Sequence, residues 1–281
     1  MNALELKNVK KEFGGFTLGP LSFAVPKGCI VGLVGENGAG KSTTVRLILD
    51  MLSLDGGEIS VYGFDSVKNA REIKELVGVV PDEIGFPMGM NAKQVGKVMK
   101  YTYQSWDEKV YEEYLSRFSL PPKKPFKQYS KGMKMKLGIA VALSHNAKLL
   151  ILDEATGGLD PVVRDEVVTV FGEFTRQEDR AVLISSHIVS DLEKICDYIA
   201  FLKEGSLFLY SEKDALLAKY GCWHGTAEDL EGIPARAVMH KKETPYGVDA
   251  VLIREELPEG TALSPITMEE LFLCMMKEEK K

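Results

Sequence analysis

The sequence predicts an α/β fold built around a parallel sheet. Three short apolar runs have the length and composition of buried strands, namely Cys29–Val34, Leu149–Leu152 and Ala181–Ser185. The second and third runs each follow a long segment with helical spacing, which is the crossover connection that parallel strands require. The chain has 281 residues, 45% hydrophobic and 27% charged, so a mainly disordered state is excluded and one large domain with an appendage is expected.

An antiparallel β subdomain is predicted at the start of the chain. Leu4–Val9 and Leu21–Val25 alternate or run apolar, and glycine-containing turn signals lie between them. The run Cys29–Val34 then enters a glycine-rich turn that leads into a segment with helical spacing. Farther along, residues 84–146 are predicted to form a helical insert, in which Ser105 and Glu108 have the spacing of a capping box.

The end of the chain differs in composition from the rest. From Lys219 onward it contains 8 basic and 12 acidic residues, a balance of −4 within a chain whose net charge is −6. Tyr198–Leu209 has the pattern of a β-hairpin, and short strands are expected within Ala227–Ala262. We therefore expect one large domain over 1–217 and a small α+β extension over 218–281.

Composition and charge exclude several classes of protein. The apolar runs fall far short of the roughly 18 to 20 residues that a membrane-spanning helix needs, and the start lacks a secretion signal, so a cytoplasmic chain is expected. The negative net charge argues against a large nucleic-acid surface, and no nucleic-acid partner is expected. The four scattered cysteines have neither redox nor metal-ligand spacing, so free thiols are expected.

The strongest chemical signal is the run Gly35-Glu36-Asn37-Gly38-Ala39-Gly40-Lys41-Ser42-Thr43. It matches the phosphate-loop pattern GxxxxGK followed by Ser or Thr, and it stands between a predicted strand and a predicted helix. The glycines let backbone N–H groups surround the α- and β-phosphates of a nucleotide. Lys41 can reach the β and γ oxygens, and the Ser42 hydroxyl can ligate Mg²⁺. The core is therefore predicted to be a P-loop NTPase.

A second signal is the pair Asp153 and Glu154, which directly follows the apolar run Leu149–Leu152. A P-loop ATPase needs a carboxylate that holds Mg²⁺ and a group that polarises or orients water. Asp153 is predicted to lie near Ser42 and the metal, while Glu154 is predicted to polarise the attacking water. We therefore expect ATP hydrolysis with Mg²⁺ as cofactor.

These motifs, together with Tyr129-Ser130-Lys131-Gly132-Met133, resemble the ATP-binding subunit of ABC transporters over roughly Leu4 to Ser211. Ser130 and Gly132 stand where the family carries its LSGGQ-like signature. The resemblance implies that Ser130, Lys131, Gly132 and Met133 face the phosphates of a nucleotide held by the other subunit of a dimer. A helix start with a hydroxyl and bare N–H groups suits that role.

The resemblance assigns further residues to the nucleotide site. Gly157-Gly158-Leu159-Asp160-Pro161 resembles the family's D-loop, which implies a nucleotide contact for Asp160. His187 resembles the switch histidine near the γ-phosphate, so a catalytic role is implied. Phe13 stands where the family stacks an aromatic ring on adenine, and Phe16 is the alternative.

Three positions depart from the family pattern. Asp82 stands where the family usually has a Gln that touches Mg²⁺ and senses the membrane subunit. Aspartate can still ligate Mg²⁺, but it donates no hydrogen bond at neutral pH. In the signature, Lys131 and Met133 replace the customary Gly and Gln, so retained binding with altered hydrolysis is expected.

The resemblance implies the separate ATP-binding subunit of a bacterial ABC exporter in the drug- and peptide-export branch. Its implied partners are a second ATP-binding subunit, either an identical copy or a close paralogue, arranged head to tail, and a separate transmembrane permease. The chain would then lie on the inner face of the cell membrane. An ABC-type ATPase in a non-transport role, such as metal-cluster assembly, is the alternative.

Overall fold

The computed structural model describes residues 2–258 and 260–277, and the two ends of the predicted domains, residues 1 and 281, lie outside them. Two compact units are present: the first comprises Met1–Ile188 and Tyr198–Tyr210, and the second comprises Val189–Asp197 and Ser211–Lys281. The last segment of the first unit ends at residue 210, and Val189–Asp197 belongs to the second unit. The predicted domain boundary near residue 217 stays a prediction. The ATPase and extension roles of the two parts stay predictions.

The first unit combines two sheets with helices. Its strands are β1 (Asn2–Phe13), β2 (Phe16–Pro26), β3 (Ile30–Val34), β4 (Gly56–Val61), β5 (Phe64–Asp65), β6 (Val77–Val80), β7 (Leu149–Asp153), β8 (Ala181–Ser186), β9 (Tyr198–Lys203) and β10 (Ser206–Glu212), of which β10 ends beyond the division. Its helices are α1 (Lys41–Ile48), α2 (Ala70–Leu76), α3 (Ala92–Thr102), α4 (Glu108–Arg117), α5 (Lys131–Leu143) and α6 (Pro161–Thr175).

The predicted antiparallel subdomain is confirmed. It is a four-stranded sheet in the order β2-β1-β4-β5, in which Leu4 stands opposite Val25 and the hairpin closes at Phe13 and Phe16. The buried side chains of β1 and β2 are mostly two or three residues apart, as in Leu4, Leu6 and Val9, because successive side chains of a strand face opposite sides of the sheet and register shifts interrupt the alternation. The hairpin therefore has one buried face and one exposed face.

The second sheet confirms the predicted parallel core. Its order is β10-β9-β3-β8-β7-β6, and β9, β3, β8, β7 and β6 pair in parallel. Every residue of β3 is buried, as are Leu149–Leu152 of β7, which explains why these strands are apolar throughout rather than alternating. Because carboxyl ends of parallel strands meet at one edge, the loops after β3, β7 and β8 converge there.

The helical insert contains α3, α4 and α5, but the predicted start of α4 was wrong. Asp107 caps this helix, since its carboxylate accepts hydrogen bonds from the N–H groups of Lys109 and Val110. Aspartate competes well for this position because its side chain accepts strongly from the first-turn donors. The Ser105 hydroxyl instead donates to the His145 carbonyl oxygen at 2.5 Å.

The second unit is a three-stranded antiparallel sheet with flanking helices. Its strands β11 (Tyr220–Gly225), β12 (Val238–Thr244) and β13 (Gly247–Ile253) lie in the order β11-β13-β12. The short strands expected within Ala227–Ala262 are present, and a short helix precedes them, which Thr226 and Asp229 start with a capping box. No helix within 2–258 or 260–277 has the length and apolar character that a membrane crossing demands. The helices are α7 (Val189–Ile195), α8 (Lys213–Lys219), α9 (Ala227–Glu231) and α10 (Met268–Lys277).

Candidate functional site

The phosphate-loop sequence joins β3 to α1 at the carboxyl edge of the parallel sheet. Gly38 and Gly40 have φ values of 86° and 106°, a conformation that favours glycine. A Cβ atom at Gly40 would lie 2.3 Å from a methyl carbon of Leu18, and one at Gly35 would lie 2.5 Å from the Leu202 carbonyl oxygen. Gly38 and Gly40 are thus favoured by backbone conformation, and Gly35 and Gly40 by lack of space for a side chain.

A cavity of about 560 Å³ lies over this loop. Ten of the predicted site residues line it, namely Asn37, Gly38, Gly40, Lys41, Ser42, Thr43, Asp82, Lys131, Glu154 and His187. Three lining residues were not assigned to the site, namely Phe16, Gly157 and Gly158. The other predicted site residues lie outside this lining, namely Phe13, Gly35, Glu36, Ala39, Ser130, Gly132, Met133, Asp153 and Asp160.

Lys41 is buried at the base of the cavity, with 5% of its surface exposed. Its ammonium donates hydrogen bonds to the carbonyl oxygens of Gly35 at 2.8 Å and Glu36 at 3.2 Å. The same nitrogen lies 3.3 Å from Oε1 of Glu154. Burying an ammonium is costly unless it is paired, and these three oxygens meet that requirement.

Asp153 connects the phosphate loop to strand β8. The Ser42 hydroxyl donates to Oδ1 of Asp153 at 3.3 Å, and the Ser185 hydroxyl donates to the same oxygen at 2.5 Å. Hydroxyl and carboxylate oxygens are the ligands that suit Mg²⁺, so this donor set fits that ion. Among the described residues, no group of three or more His, Cys, Asp or Glu is placed to hold a metal, so a Mg²⁺ ion here would need phosphate and water oxygens as well.

Ser185 was missed by the sequence reasoning. It stands opposite Asp153 in the parallel pairing of β7 and β8, and its side chain and carbonyl oxygen also accept the Glu154 N–H at 3.1 Å each. A hydroxyl residue at the end of the strand adjacent to the Asp-Glu strand is the signal that could have identified it.

Glu154 lies between Lys41 and His187. Its φ of 51° is uncommon for a residue other than glycine, and it turns the chain sharply at the end of β7. One carboxylate oxygen faces the Lys41 ammonium, while the other lies 2.7 Å from Nδ1 of His187. The structure thus brings together both predicted catalytic residues and the phosphate-loop lysine.

The predicted signature is a helix start, but most of it does not face the cavity of its own chain. Ser130 caps α5 by accepting a hydrogen bond from the Met133 N–H at 3.2 Å. Asp160 caps α6 in the same way, accepting from the Val163 N–H at 3.0 Å. Lys131 alone within the signature lines the cavity.

The aromatic wall of the cavity is formed by Phe16 rather than Phe13. The two ring centroids are 6.3 Å apart, and Phe13 is 42% exposed. Phe16 was the alternative for the adenine-stacking residue, and a role of Phe13 in stacking stays a prediction. Asp82, two residues after the end of β6, lies on the cavity wall, and its role as a Mg²⁺ ligand stays a prediction.

The parallel core and the residues around its phosphate loop define a P-loop ATPase of the ABC type. Residues 18–157 match the family model for ABC transporters. The chain is 36% identical over 214 residues to the lantibiotic transport ATP-binding protein SrtF of Streptococcus pyogenes, covering 75% of this chain and 91% of that protein. It is 33% identical over 209 residues to the bacitracin transport ATP-binding protein BcrA of Enterococcus faecalis, covering 73% of this chain and 67% of that protein.

A solved structure of an ATP-binding subunit of an ABC transporter is also similar. It superposes with a TM-score of 0.71 at 26% identity, covering 77% of this chain and 92% of that one. The chain therefore belongs to the family of ABC transporter ATP-binding proteins. It is an ATP-binding subunit and an ATP hydrolase.

Proposed function

We propose that this chain powers the export of peptide antibiotics or related drug-like molecules through a separate transmembrane permease. The observation that carries the ATP-driven step is the Glu154 carboxylate held between Lys41 and His187 in the cavity over the phosphate loop. The cargo class is supported by the names of two relatives, which are a lantibiotic and a bacitracin transport protein. The chain would work at the inner face of the cell membrane.

The site residues divide into phosphate, metal and water roles. Lys41 and the N–H groups of the loop would bind the β- and γ-phosphates. The Lys41 ammonium would then give up its contact with Glu154. Ser42, Asp153 and Asp82 would hold Mg²⁺, which neutralises charge on the phosphate oxygens when bound. Glu154 would then polarise the attacking water, and His187, hydrogen-bonded to Glu154, would orient it toward the γ-phosphate.

The active assembly would be a head-to-tail dimer. Ser130, Gly132 and Met133 lie outside the cavity of their own chain, which suits a helix start that completes the nucleotide site of a second subunit. Each of the two sites would combine one phosphate loop with the signature and Asp160 segment of the other subunit. Closure around ATP and reopening after hydrolysis would drive the permease.

The test is transport by the chain reconstituted in liposomes with a candidate permease, sought first in the adjacent reading frames. With wild-type protein and ATP on the outside, a labelled lantibiotic-type peptide or bacitracin should accumulate inside the liposomes. With Glu154→Gln it should not. Glu228→Gln is the matched control, since it makes the same chemical change at an exposed position of the second unit.

Two results would contradict the proposal. Equal transport by wild type and Glu154→Gln would show that hydrolysis at this site does not drive it. ATP hydrolysis without any effect of the membrane protein or the peptides would favour a non-transport ATPase, with metal-cluster assembly as the next class to test.

A further inference from the structure

We propose that Lys131 is a second phosphate-binding lysine for the nucleotide held by its own chain. This inference rests on the proposed nucleotide site and deepens it. The signature helix is proposed to serve the other subunit's nucleotide, and Lys131 adds a contact within the single subunit. It would favour a triphosphate over a diphosphate before two subunits close together.

The position of the Lys131 side chain supports this inference. Lys131 is the first residue of α5, and its side chain lines the cavity that Lys41, Glu154 and His187 also line. It reaches across its own D-loop. A Cβ atom built on Gly158 would lie 2.8 Å from the Lys131 ammonium nitrogen and 3.6 Å from its Cε.

Gly158 leaves the space that this side chain uses. With φ of 66°, Gly158 has a conformation that favours glycine, and any side chain there would displace the ammonium. The D-loop backbone thus both permits and flanks the position of Lys131. A lysine in the signature and a glycine in the D-loop together direct a cation to the cavity.

The charges of the other cavity residues support a phosphate-binding role for the Lys131 ammonium. Lys41 is already held by Glu154 and by two carbonyl oxygens. Within the part of the chain that the structure describes, no carboxylate pairs with the Lys131 ammonium. Asp82 and Glu154 add two negative charges to the lining, so Lys131 offsets a repulsion that a polyphosphate would otherwise meet.

The neighbours of Lys131 determine which phosphate it would contact. Gly158, which lies beside the Lys131 ammonium, belongs to the segment after β7 that begins with Glu154, where the water and the γ-phosphate are proposed to lie. Lys131 should therefore contact the terminal phosphate. When the dimer closes, the start of α5 would turn to the partner's nucleotide, so this contact within the subunit has to be released.

The test measures nucleotide binding by single subunits, at protein concentrations where sedimentation shows one copy. The probes are ADP and the imido analogue of ATP, which is not hydrolysed. Lys131→Gln should weaken binding of the ATP analogue by about five- to tenfold and that of ADP less than about twofold. Lys131→Arg keeps the charge and should stay close to wild type.

A matched control and a reference variant separate the outcomes. Lys134→Gln removes the same charge from the same helix, where the ammonium lies over the Phe126 ring at 5.1 Å, and it should change neither affinity. Lys41→Ala should strongly weaken the binding of both nucleotides.

If Lys131→Gln binds the ATP analogue like wild type while Lys41→Ala does not, the role of Lys131 is overturned and the nucleotide site stands. If Lys41→Ala also has no effect, the nucleotide site itself is wrong. If Lys131→Gln and Lys134→Gln lose equal affinity for the ATP analogue, the loss results from the lower net positive charge of the helix and not from a contact of Lys131. That result would also overturn the proposal.

Discussion

The ammonium nitrogen of Lys41 lies 3.3 Å from Oε1 of Glu154. The other carboxylate oxygen of Glu154 contacts His187 at 2.7 Å, so one side chain joins the phosphate-loop lysine to the predicted switch histidine. A phosphate group bound by Lys41, as proposed above, would compete with Glu154 for the ammonium. Phosphate binding and release of the carboxylate proposed to polarise water would then be coupled through a single ion pair.

The first prediction is that Glu154→Gln retains ATP binding and loses turnover. Glutamine preserves the shape of the side chain, but it does not take a proton from water, and it leaves Lys41 with one fewer anionic partner. We expect the ATPase rate to fall by about 100-fold or more, while an ATP-bound dimer accumulates in gel filtration with ATP and Mg²⁺. A variant that hydrolyses ATP close to the wild-type rate would remove Glu154 from this role.

Ser185 provides a second prediction, because it fixes the carboxylate proposed to hold Mg²⁺. Loss of the 2.5 Å hydrogen bond from Ser185 to Asp153 in Ser185→Ala should raise the Mg²⁺ concentration for half-maximal ATPase activity by about tenfold. Ser186→Ala is the control, since its hydroxyl accepts from the Ile188 N–H instead. Activity should be restored by excess Mg²⁺. Identical Mg²⁺ curves for Ser185→Ala and wild type would mean that Asp153 does not depend on this hydroxyl.

The sequence predicted the parts of the fold that depend on local patterns. The parallel strands around Cys29–Val34 and Leu149–Leu152 are apolar throughout because both faces are buried, and the glycine-rich turn stands where strand and helix meet. The phosphate-loop motif and the Asp-Glu pair also predicted that Asp153 would lie near Ser42, and the Ser42 hydroxyl donates to Asp153 at 3.3 Å. In each instance the signal is contained in a few consecutive residues.

Features that depend on register between distant segments were not predictable in this way. Ser185 reaches Asp153 only because β7 and β8 pair in a particular parallel register. Asp107 rather than Ser105 caps α4, since the Ser105 hydroxyl is used by the distant His145 carbonyl. Phe16 rather than Phe13 lines the cavity, and the local sequence does not distinguish two aromatic residues that pair across one hairpin.

The third prediction concerns the stability of the helical insert at low pH. His145 is buried and stacks on Tyr103 with ring centroids 3.9 Å apart, and burial lowers the pKa of its imidazole. The unfolded chain therefore takes up a proton first as the pH falls below about 6.5, so His145 should reduce stability between neutral and mildly acidic pH. His145→Gln should lower the thermal midpoint at pH 7.5 but lose less on acidification to pH 5. The matched control His224→Gln changes an exposed histidine of the second unit and should follow wild type. Parallel pH curves for His145→Gln and wild type would contradict this role.

The last prediction is that the signature acts between subunits, and it is tested by mixing two inactive variants. Lys41→Ala removes the phosphate-loop lysine, and Ser130→Arg places bulk and charge at the cap of α5, so either variant alone should be nearly inactive. Isolated wild-type subunits should show ATPase activity that rises faster than linearly with concentration, because dimers form by mass action.

Mixing then distinguishes the two arrangements. If the signature serves the other subunit, one site of a mixed dimer carries both lesions and the other site carries none, so activity should reappear when a single intact site suffices and the natural pair is two copies of this chain. If Ser130 serves its own subunit, each site of the mixed dimer carries one lesion, and activity should not return at any ratio. Cross-linking or differential tagging has to show that mixed dimers form, since their absence would imitate the second result. Recovery close to half of wild-type activity per mixed dimer would indicate that the two sites hydrolyse ATP independently. No recovery in proven mixed dimers would mean either that the signature acts within its own subunit or that both sites must be intact for hydrolysis.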